Sequence, residues 1–239
     1  MICRHDWENI KTICCEHIKC KKCGVIKKIN VCDFHKDKLN SYNDKNYFLD
    51  EKNGMFKDNI PLNKLSCEEH IEAFSKVGLT TDILEDKSVL EVGAGIGRII
   101  PLLNKYVRYY FCVEPNKWAC DYIENSHYIV PFNNTFEEFY SSHLIGKDFF
   151  DIVFCIHTLE HFKDADKVFE QLIDLIDVNG YLFIEVPDNR DLYNPDHYWF
   201  FDESVLRHWA SLNNLEEIGC YRKSIIEKED FIYFLWRKK

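Results

Sequence analysis

The stretch Ser88-Val89-Leu90-Glu91-Val92-Gly93-Ala94-Gly95-Ile96-Gly97-Arg98 narrows the folds open to this chain more than any other. Apolar residues from Val89 to Val92, with one acid among them, predict a strand. Glycines at alternate positions follow, and then an apolar helical pattern through Ile99, Ile100, Leu102, Leu103 and Tyr106. A strand, a tight turn and a helix in that order leave bare backbone amides at a helix N-terminus, where a ligand can sit. Glycine suits the turn because it reaches φ > 0 without a Cβ penalty and lets a ligand approach the main chain.

Spacing separates the ligands that use such a turn. The dinucleotide fingerprint G-x-G-x-x-G needs glycine where this chain has Arg98; what stands here is G-x-G-x-G, with Glu91 two residues before the first glycine. A second acid, Glu114, ends the next predicted strand (Tyr109 to Val113), well placed to accept hydrogen bonds from both hydroxyls of a ribose. The alternative is a turn that merely packs helix on strand. The residues resemble class I S-adenosylmethionine-dependent methyltransferases of the small-molecule type, whose first motif is an acid-x-G-x-G-x-G turn and whose second strand ends in a ribose-binding acid. The resemblance implies S-adenosyl-L-methionine as cofactor, held by Glu91, Gly93, Ala94, Gly95, Gly97, Glu114, Pro115, Thr135, Cys155 and Ile156.

After Glu114 the strand-then-helix rhythm repeats. Helices are expected over 116–125, 135–141 (Thr135 as N-cap), 164–176 and 202–212, and strands over 128–132, 151–157 and 181–186. The alternation predicts an α/β fold with a mostly parallel sheet and helices on both faces, its ligand at the carboxyl ends of the strands. Two further strands, 215–221 and 230–236, close the chain as a hairpin. That ending is also found in the family named above, so the resemblance covers about residues 66 to 239. It implies a Rossmann-like methyltransferase fold of seven strands with an antiparallel C-terminal hairpin. Ahead of the first strand, Ser66-x-x-Glu69 reads as a capping box for a helix carrying Ile71, Phe74 and Val77 and stopped by Gly78.

Residues 1–36 hold a different chemistry: Cys3, His5, Cys14, Cys15, His17, Cys20, Cys23, Cys32 and His35. Cys20-Lys21-Lys22-Cys23-Gly24 reads as a knuckle in which two thiolates bind one zinc ion. Cys3 and His5, followed by Trp7, are the preferred second pair. The segment then resembles small single-zinc ribbons that open with Cys-x-His-x-Trp and close with Cys-x-x-Cys-Gly. Cys32 with His35, and Cys14, Cys15 and His17, remain open alternatives. So short a segment has no core of its own, which favours a metal over a bare cysteine-rich leader. Residues 37–65 turn polar and read as a linker or lid whose aromatics (Tyr42, Tyr47, Phe48, Phe56) need something to cover.

Composition enters through partners and compartment. Eleven cysteines in a chain of 239 residues, 46% of them hydrophobic, favour reduced thiols over a disulfide scaffold. No apolar run approaches the roughly 20 residues of a membrane span, and the N-terminus shows no signal-peptide core, so a soluble cytoplasmic protein is expected. Residues 1–40 carry nine Lys and Arg against five Asp and Glu, which leaves the rest of the chain at minus fourteen. An acidic body grips a phosphate backbone poorly, so nucleic acid is open only to Lys19, Lys21, Lys22, Lys27 and Lys28. The oligomeric state is left open, a homodimer included.

Methyl transfer from a sulfonium is an in-line displacement, so the protein has to align the acceptor and take a proton where the acceptor is neutral. His157 and His161 follow one predicted strand end and His197 follows the next; His161 is the expected base or orienting residue, with the other two near it. Glu160 with these three histidines also offers a divalent cation one carboxylate and three imidazoles; the segment resembles the Glu-x-x-Glu-His of small-RNA 3′-terminal 2′-O-methyltransferases, but His157 stands in place of the first acid, which puts a magnesium site in doubt. The loop from Asp188 to Phe201, rich in aromatics (Tyr193, Tyr198, Trp199, Phe200, Phe201) and carrying Asp188, Asn189 and Asp196, suits a small hydroxylated or sugar-like acceptor. The alternative is an RNA- or protein-directed methyltransferase, or a recruitment protein, whose ribbon binds the partner.

Overall fold

The computed structural model describes residues 3–10, 15–30, 48, 56–57, 60–61, 63–142, 146–188, 194, 196–224 and 230–239; of 56–57, 60–61 and 63–69 it describes the backbone. In chain order, β1 (Trp7–Ile10), β2 (Glu16–Cys20) and β3 (Ile26–Asn30) pair antiparallel. A short pair, β4 (Phe56–Lys57) and β5 (Ile60–Pro61), leads into α1 (Asn63–Val77) and α2 (Thr81–Leu84). Then come β6 (Ser88–Val92), α3 (Ile100–Leu103), β7 (Tyr109–Val113), α4 (Lys117–His127), α5 (Phe136–Ser141) and β8 (Phe150–Ile156). The chain closes with α6 (Ala165–Leu175), β9 (Ile176–Pro187), β10 (Trp199–Phe200), α7 (Glu203–Leu212), β11 (Leu215–Lys223) and β12 (Phe231–Lys238).

The central sheet runs β11-β12-β9-β8-β6-β7, with β7, β6, β8 and β9 parallel and β12 antiparallel to both its neighbours. Successive residues of its inner strands enter opposite cores, as the two-residue period of a strand requires. Leu90, Val153, Leu182 and Phe234 pack with α6 and α7 through Phe169, Leu172 and Trp209. Val89, Phe154, Phe183 and Leu235 pack with α1 through Ala73, Phe74 and Val77. That double burial explains why the strands read as unbroken apolar runs, each fully buried aliphatic contributing roughly 1.5–3 kcal/mol.

Several expectations change. The described sheet has six strands, because the segment expected at 128–132 is reduced to a single parallel bridge between Val113 and Phe132. Tyr128, left-handed at φ 58°, is instead the C-cap of α4 and lies 91% exposed; Val130 is exposed too, so only Ile129 and Phe132 pack the segment against the sheet edge. The first helix begins at Asn63, which puts Ser66 and Glu69 inside it and removes the capping box. The helix after the glycine turn is the short α3, and α6 ends at Leu175, so Asn179-Gly180 sits within the irregular first half of β9. No helix among the described residues is long and apolar enough to cross a membrane.

The N-terminal strands do not stand apart. β10, from the loop after β9, pairs antiparallel with β3 through Trp199 with Lys27 and Phe200 with Ile26, completing a four-stranded sheet. Cys3, Cys20, Cys23 and Val25 share one core with Trp199, Phe201 and Trp209.

Candidate functional site

Gly93, Gly95 and Gly97 all have positive φ, at 73°, 55° and 75°. Their surroundings differ. A Cβ on Gly93 would lie 2.3 Å from Thr158 Oγ1 and one on Gly97 2.5 Å from Ile100 Cδ1, so these two glycines allow close packing. At Gly95 the one described neighbour within 4 Å is the edge of Phe48, 3.4 Å away, so of the three the middle glycine alone is uncrowded among the described residues. Phe48 is buried with Ile96 and Ala119 and stacks on Trp118, and so forms a cover beside the turn. Tyr42 and Tyr47 lie outside the described residues.

Glu114, at the end of β7, faces this turn. Its Oε2 accepts the Gly95 N–H and its Oε1 the Asn116 N–H, each at 2.8 Å, and each oxygen keeps lone-pair capacity for a ribose hydroxyl. Burial pushes its pKa up to about 7 against the pull of those two amides. Glu91 is buried in β6 and accepts the Tyr110 hydroxyl at 2.6 Å; burial pushes it up to about 8. Pro115 presents its carbonyl to Asn133 Nδ2 at 2.9 Å. Thr135 caps α5, its hydroxyl accepting the Glu138 N–H. Ala94 is buried, Cys155 is wholly in the core and Ile156 packs at the edge of the second core, so Cys155 can face a ligand only with its backbone.

At the ends of β8 and β9 the three histidines have different surroundings. His157, left-handed at φ 46°, places Nε2 2.8 Å from Glu185 Oε1, while His70 Nε2 lies 3.1 Å from the other Glu185 oxygen. Burial alone would lower His157, but the Glu185 and Glu160 carboxylates lift it to about 10. An imidazolium has no lone pair with which to take a proton, so the geometry gives His157 an ion-pairing place rather than a base's.

His161 closes the 3-10 turn Leu159–His161, with Nδ1 2.9 Å from the Asp196 carbonyl oxygen. A carbonyl only accepts, so Nδ1 donates its hydrogen there, and Nε2 is the ring nitrogen on the Glu160 side. That Nε2 lies 3.9 Å from Glu160 Oε1, and the His197 ring centroid is 5.0 Å from that of His161. Burial pushes His197 down to about 3, overriding the attraction of Glu160. Burial would raise Glu160, yet His157, His161 and His197 around it hold it below the ordinary carboxylate range.

The aromatics expected to line an acceptor pocket go elsewhere. Trp199, Phe200 and Phe201 are buried against the ribbon and core, and Tyr198 is half-buried. Asp188 pairs with Arg222 Nη1 at 3.0 Å, and Asp196 contributes its carbonyl to His161. Tyr193 and Asn189 lie outside the described residues.

The N-terminal strands bring together the preferred quartet. Ligand atoms of Cys3, His5, Cys20 and Cys23 all lie within 4.8 Å of one another, with Cys23 Sγ 3.6 Å from His5 Nδ1. Gly24 at φ 84° turns the chain there, and its N–H donates to the Cys20 carbonyl at 2.8 Å. His5 points its other nitrogen at Asp166 Oδ2, 3.6 Å away, the outer carboxylate that metal-bound imidazoles commonly have. Of the alternatives, Cys14, Cys32 and His35 lie outside the described residues, and His17 Nδ1 sits 3.2 Å from the Cys15 carbonyl while its ring packs edge-on to Phe200. Tyr110, His70, Asp166, Glu185 and the Asp196 carbonyl escaped the sequence reading. Only Glu185 had left a signal, as a lone acid in an apolar strand.

A parallel sheet closed by an antiparallel hairpin, with a glycine turn and an acid facing each other from adjacent strand ends, is the architecture of class I S-adenosylmethionine-dependent methyltransferases. The chain belongs to the methyltransferase-domain family, whose model matches residues 65–224. It is similar to phosphoethanolamine N-methyltransferase 1 of Zea mays, 24% identical over 227 residues, and spans 81% of itself but 43% of that protein. The fold is shared with an S-adenosylmethionine-dependent methyltransferase of Archaeoglobus fulgidus (TM-score 0.62, 14% identity, 82% of this chain and 100% of that one). It is also shared with the Burkholderia thailandensis 1,6-didemethyltoxoflavin-N1-methyltransferase, solved with S-adenosylhomocysteine (TM-score 0.52, 18% identity, 73% and 84%). By family, then, this chain is a methyltransferase domain, and by fold it is built as the S-adenosylmethionine-dependent ones are.

Proposed function

We propose that the chain methylates a small hydroxylated or sugar-like acceptor, with the donor seated between Gly95 and Glu114 and the acceptor at the His161 and His197 end. The observation that carries this reading is the middle glycine, uncrowded among the described residues, whose amide already bonds the buried acid of the neighbouring strand. Glu114 holds the ribose hydroxyls, and the backbone from Gly93 to Gly97 and from Cys155 to Ile156 walls the seat, with Glu91, Pro115 and Thr135 around it. S-adenosylmethionine supplies, when bound, a methyl group on a positively charged sulfur. His161 and His197 orient the acceptor or take its proton, and the His70, Glu185 and His157 ion pairs stiffen the strand ends behind them.

Cys3, His5, Cys20 and Cys23 hold a structural zinc ion in this reading, and the ribbon forms one wall of the acceptor side. Support comes from Lys28, which is buried and ties down the segment bearing His197: its N–H donates to the Tyr198 carbonyl at 2.8 Å and its Nζ to the Asn194 carbonyl at 2.6 Å. Lys27 lies over Trp199 and near Asp164, so two of the five ribbon lysines are engaged within the chain. This use of the ribbon favours a small acceptor over recruitment of RNA or protein. Calorimetric titration with S-adenosylmethionine and S-adenosylhomocysteine tests the seat, and a screen of hydroxylated acceptors by product release tests the chemistry. Tight, salt-sensitive RNA binding that disappears without residues 1–40 would overturn the acceptor class.

A further inference from the structure

We propose that Glu185 is a positioning residue for methyl transfer: it clamps His157 in a left-handed backbone turn, and that turn delivers Glu160 and His161 to the acceptor side. The clamp stands on its own geometry; its use in methyl transfer rests on the reading that places the acceptor at the His161 end.

Ile156 and Glu185 are the last paired residues of β8 and β9, so beyond them the sheet ladder no longer fixes the chain. His157 comes next and is left-handed at φ 46°, a region unfavourable to any residue with a Cβ. In the neighbouring turn the chain meets the same need with glycine, at Gly93, Gly95 and Gly97. A histidine at the β8 end accepts the strain and brings a side chain instead. Strained residues of this kind persist where their surroundings hold them.

Glu185 holds His157 twice. Its carbonyl accepts the His157 N–H at 2.9 Å, and its Oε1 lies 2.8 Å from His157 Nε2. The other carboxylate oxygen lies 3.1 Å from His70 Nε2, which anchors Glu185 to α1. Glu185 and His70 are both buried, where an ion pair is screened least. On its far side His157 faces Glu160 Oε1, 3.6 Å from Nδ1, and the Phe231 ring meets it edge-on with centroids 4.7 Å apart. Charges thus alternate from α1 through the β9 end into the turn, in the order His70, Glu185, His157, Glu160.

The acceptor side hangs from that turn. Thr158 Oγ1 donates to the Ile156 carbonyl at 2.8 Å, and the His161 N–H donates to the Thr158 carbonyl at 3.1 Å. The Glu160 carbonyl accepts the Tyr198 N–H at 2.8 Å, and His161 Nδ1 lies 2.9 Å from the Asp196 carbonyl oxygen. Every one of these groups follows His157 or bonds to a residue that does, so a change of φ there swings them together. In-line displacement tolerates little of this, a misplacement of about 1 Å costing roughly 100-fold in rate. Glu185 therefore acts through the backbone of His157 and not on the reacting atoms.

The test uses the full chain carrying Glu185→Gln, alone and together with His157→Gly. Glutamine keeps the shape but loses the charge, whereas glycine adopts positive φ with no clamp. Hydrogen exchange is read at the His161 and Tyr198 amides, whose acceptors belong to the turn, with β6 and β8 amides as the check on folding. Glu185→Gln should speed exchange at both amides by about tenfold or more. It should lower kcat on an acceptor found by screening by about tenfold or more, while S-adenosylhomocysteine affinity stays within about twofold. His157→Gly in the same chain should return both amides toward the native rate. Native exchange in Glu185→Gln overturns the proposal, as does a double variant that exchanges as fast as the single one. Loss of S-adenosylhomocysteine binding in a folded Glu185→Gln also overturns it, since the residue would then support the whole crevice. Should Glu185→Gln not fold, His70→Asn removes only the outer anchor and must still speed exchange at His161; a native rate there overturns the clamp. A native chain that fails to bind S-adenosylhomocysteine sinks the donor seat and leaves the exchange result standing, so the two readings fail separately.

Discussion

Alanine at two of the three glycines of the turn should produce opposite phenotypes. Gly93 and Gly95 both sit at positive φ, where a side chain costs roughly 1–2 kcal/mol. At Gly93 the new methyl would also stand 2.3 Å from Thr158 Oγ1 and 2.4 Å from Thr158 Cγ2, and overpacking of that kind adds about 1–3 kcal/mol. Gly93→Ala is therefore expected to lower stability by about 2–5 kcal/mol, a fall in Tm of about 5–15 °C for a chain of this size, while its folded fraction still binds the donor. Gly95→Ala meets Phe48 at an ordinary 3.4 Å, so Tm should fall by only about 2–6 °C. Its methyl, however, enters the proposed seat, and S-adenosylhomocysteine binding should weaken at least about tenfold, equivalent to 1.4 kcal/mol. Thermal unfolding and calorimetric titration of both variants decide the matter. Native affinity in Gly95→Ala, or lost affinity in Gly93→Ala with an unchanged Tm, would refute the division of labour between the two glycines.

Glu91 has its folded pKa raised from 4.5 to about 8 by burial, so the unfolded chain ionises first and stability is lost as pH rises through that window. Glu91→Gln, which keeps an acceptor for Tyr110, should leave Tm unchanged near about pH 5 and raise it near about pH 9; equal effects at both would contradict the assignment. His157→Gln leaves Glu185 buried with His70 as its remaining ion-pair partner and should destabilise by about 1–3 kcal/mol, less than a wholly buried pair because His157 is partly open to solvent. Loss of turnover with an unshifted Tm would instead make His157 a participant in the chemistry. Stripping the zinc proposed for Cys3, His5, Cys20 and Cys23 with a chelator should speed hydrogen exchange at Trp199 and Phe200 together with Ile26 to Lys28, while β6 and β8 stay protected; protected β10 amides in the stripped chain would show that the N-terminal strands do not depend on that metal to steady the His197 segment.

Sequence by itself determined what depends on residues close together in the chain. The glycine turn, the acid that ends the following strand, the knuckle at Cys20 and Cys23 and the order of strands and helices are local: backbone sterics at φ > 0, hydrophobic period and ligand spacing suffice to read them. Even there the edge was misjudged, because whether residues 128–132 join the sheet depends on what covers Tyr128 and Val130, and nothing among the described residues does. Tertiary structure decided the rest. It brought Cys3 and His5 beside Cys20 and Cys23 and set Asp166 behind His5. It bound His157 to Glu185 while leaving Glu160 dry between His161 and His197. It also turned Trp199 and Phe200 from expected acceptor contacts into the strand that joins the ribbon to the sheet's core. A side chain's chemistry is set by burial and by the charges opposite it, and those come from segments far away in the chain, so no reading along the sequence could assign the three histidines their separate places.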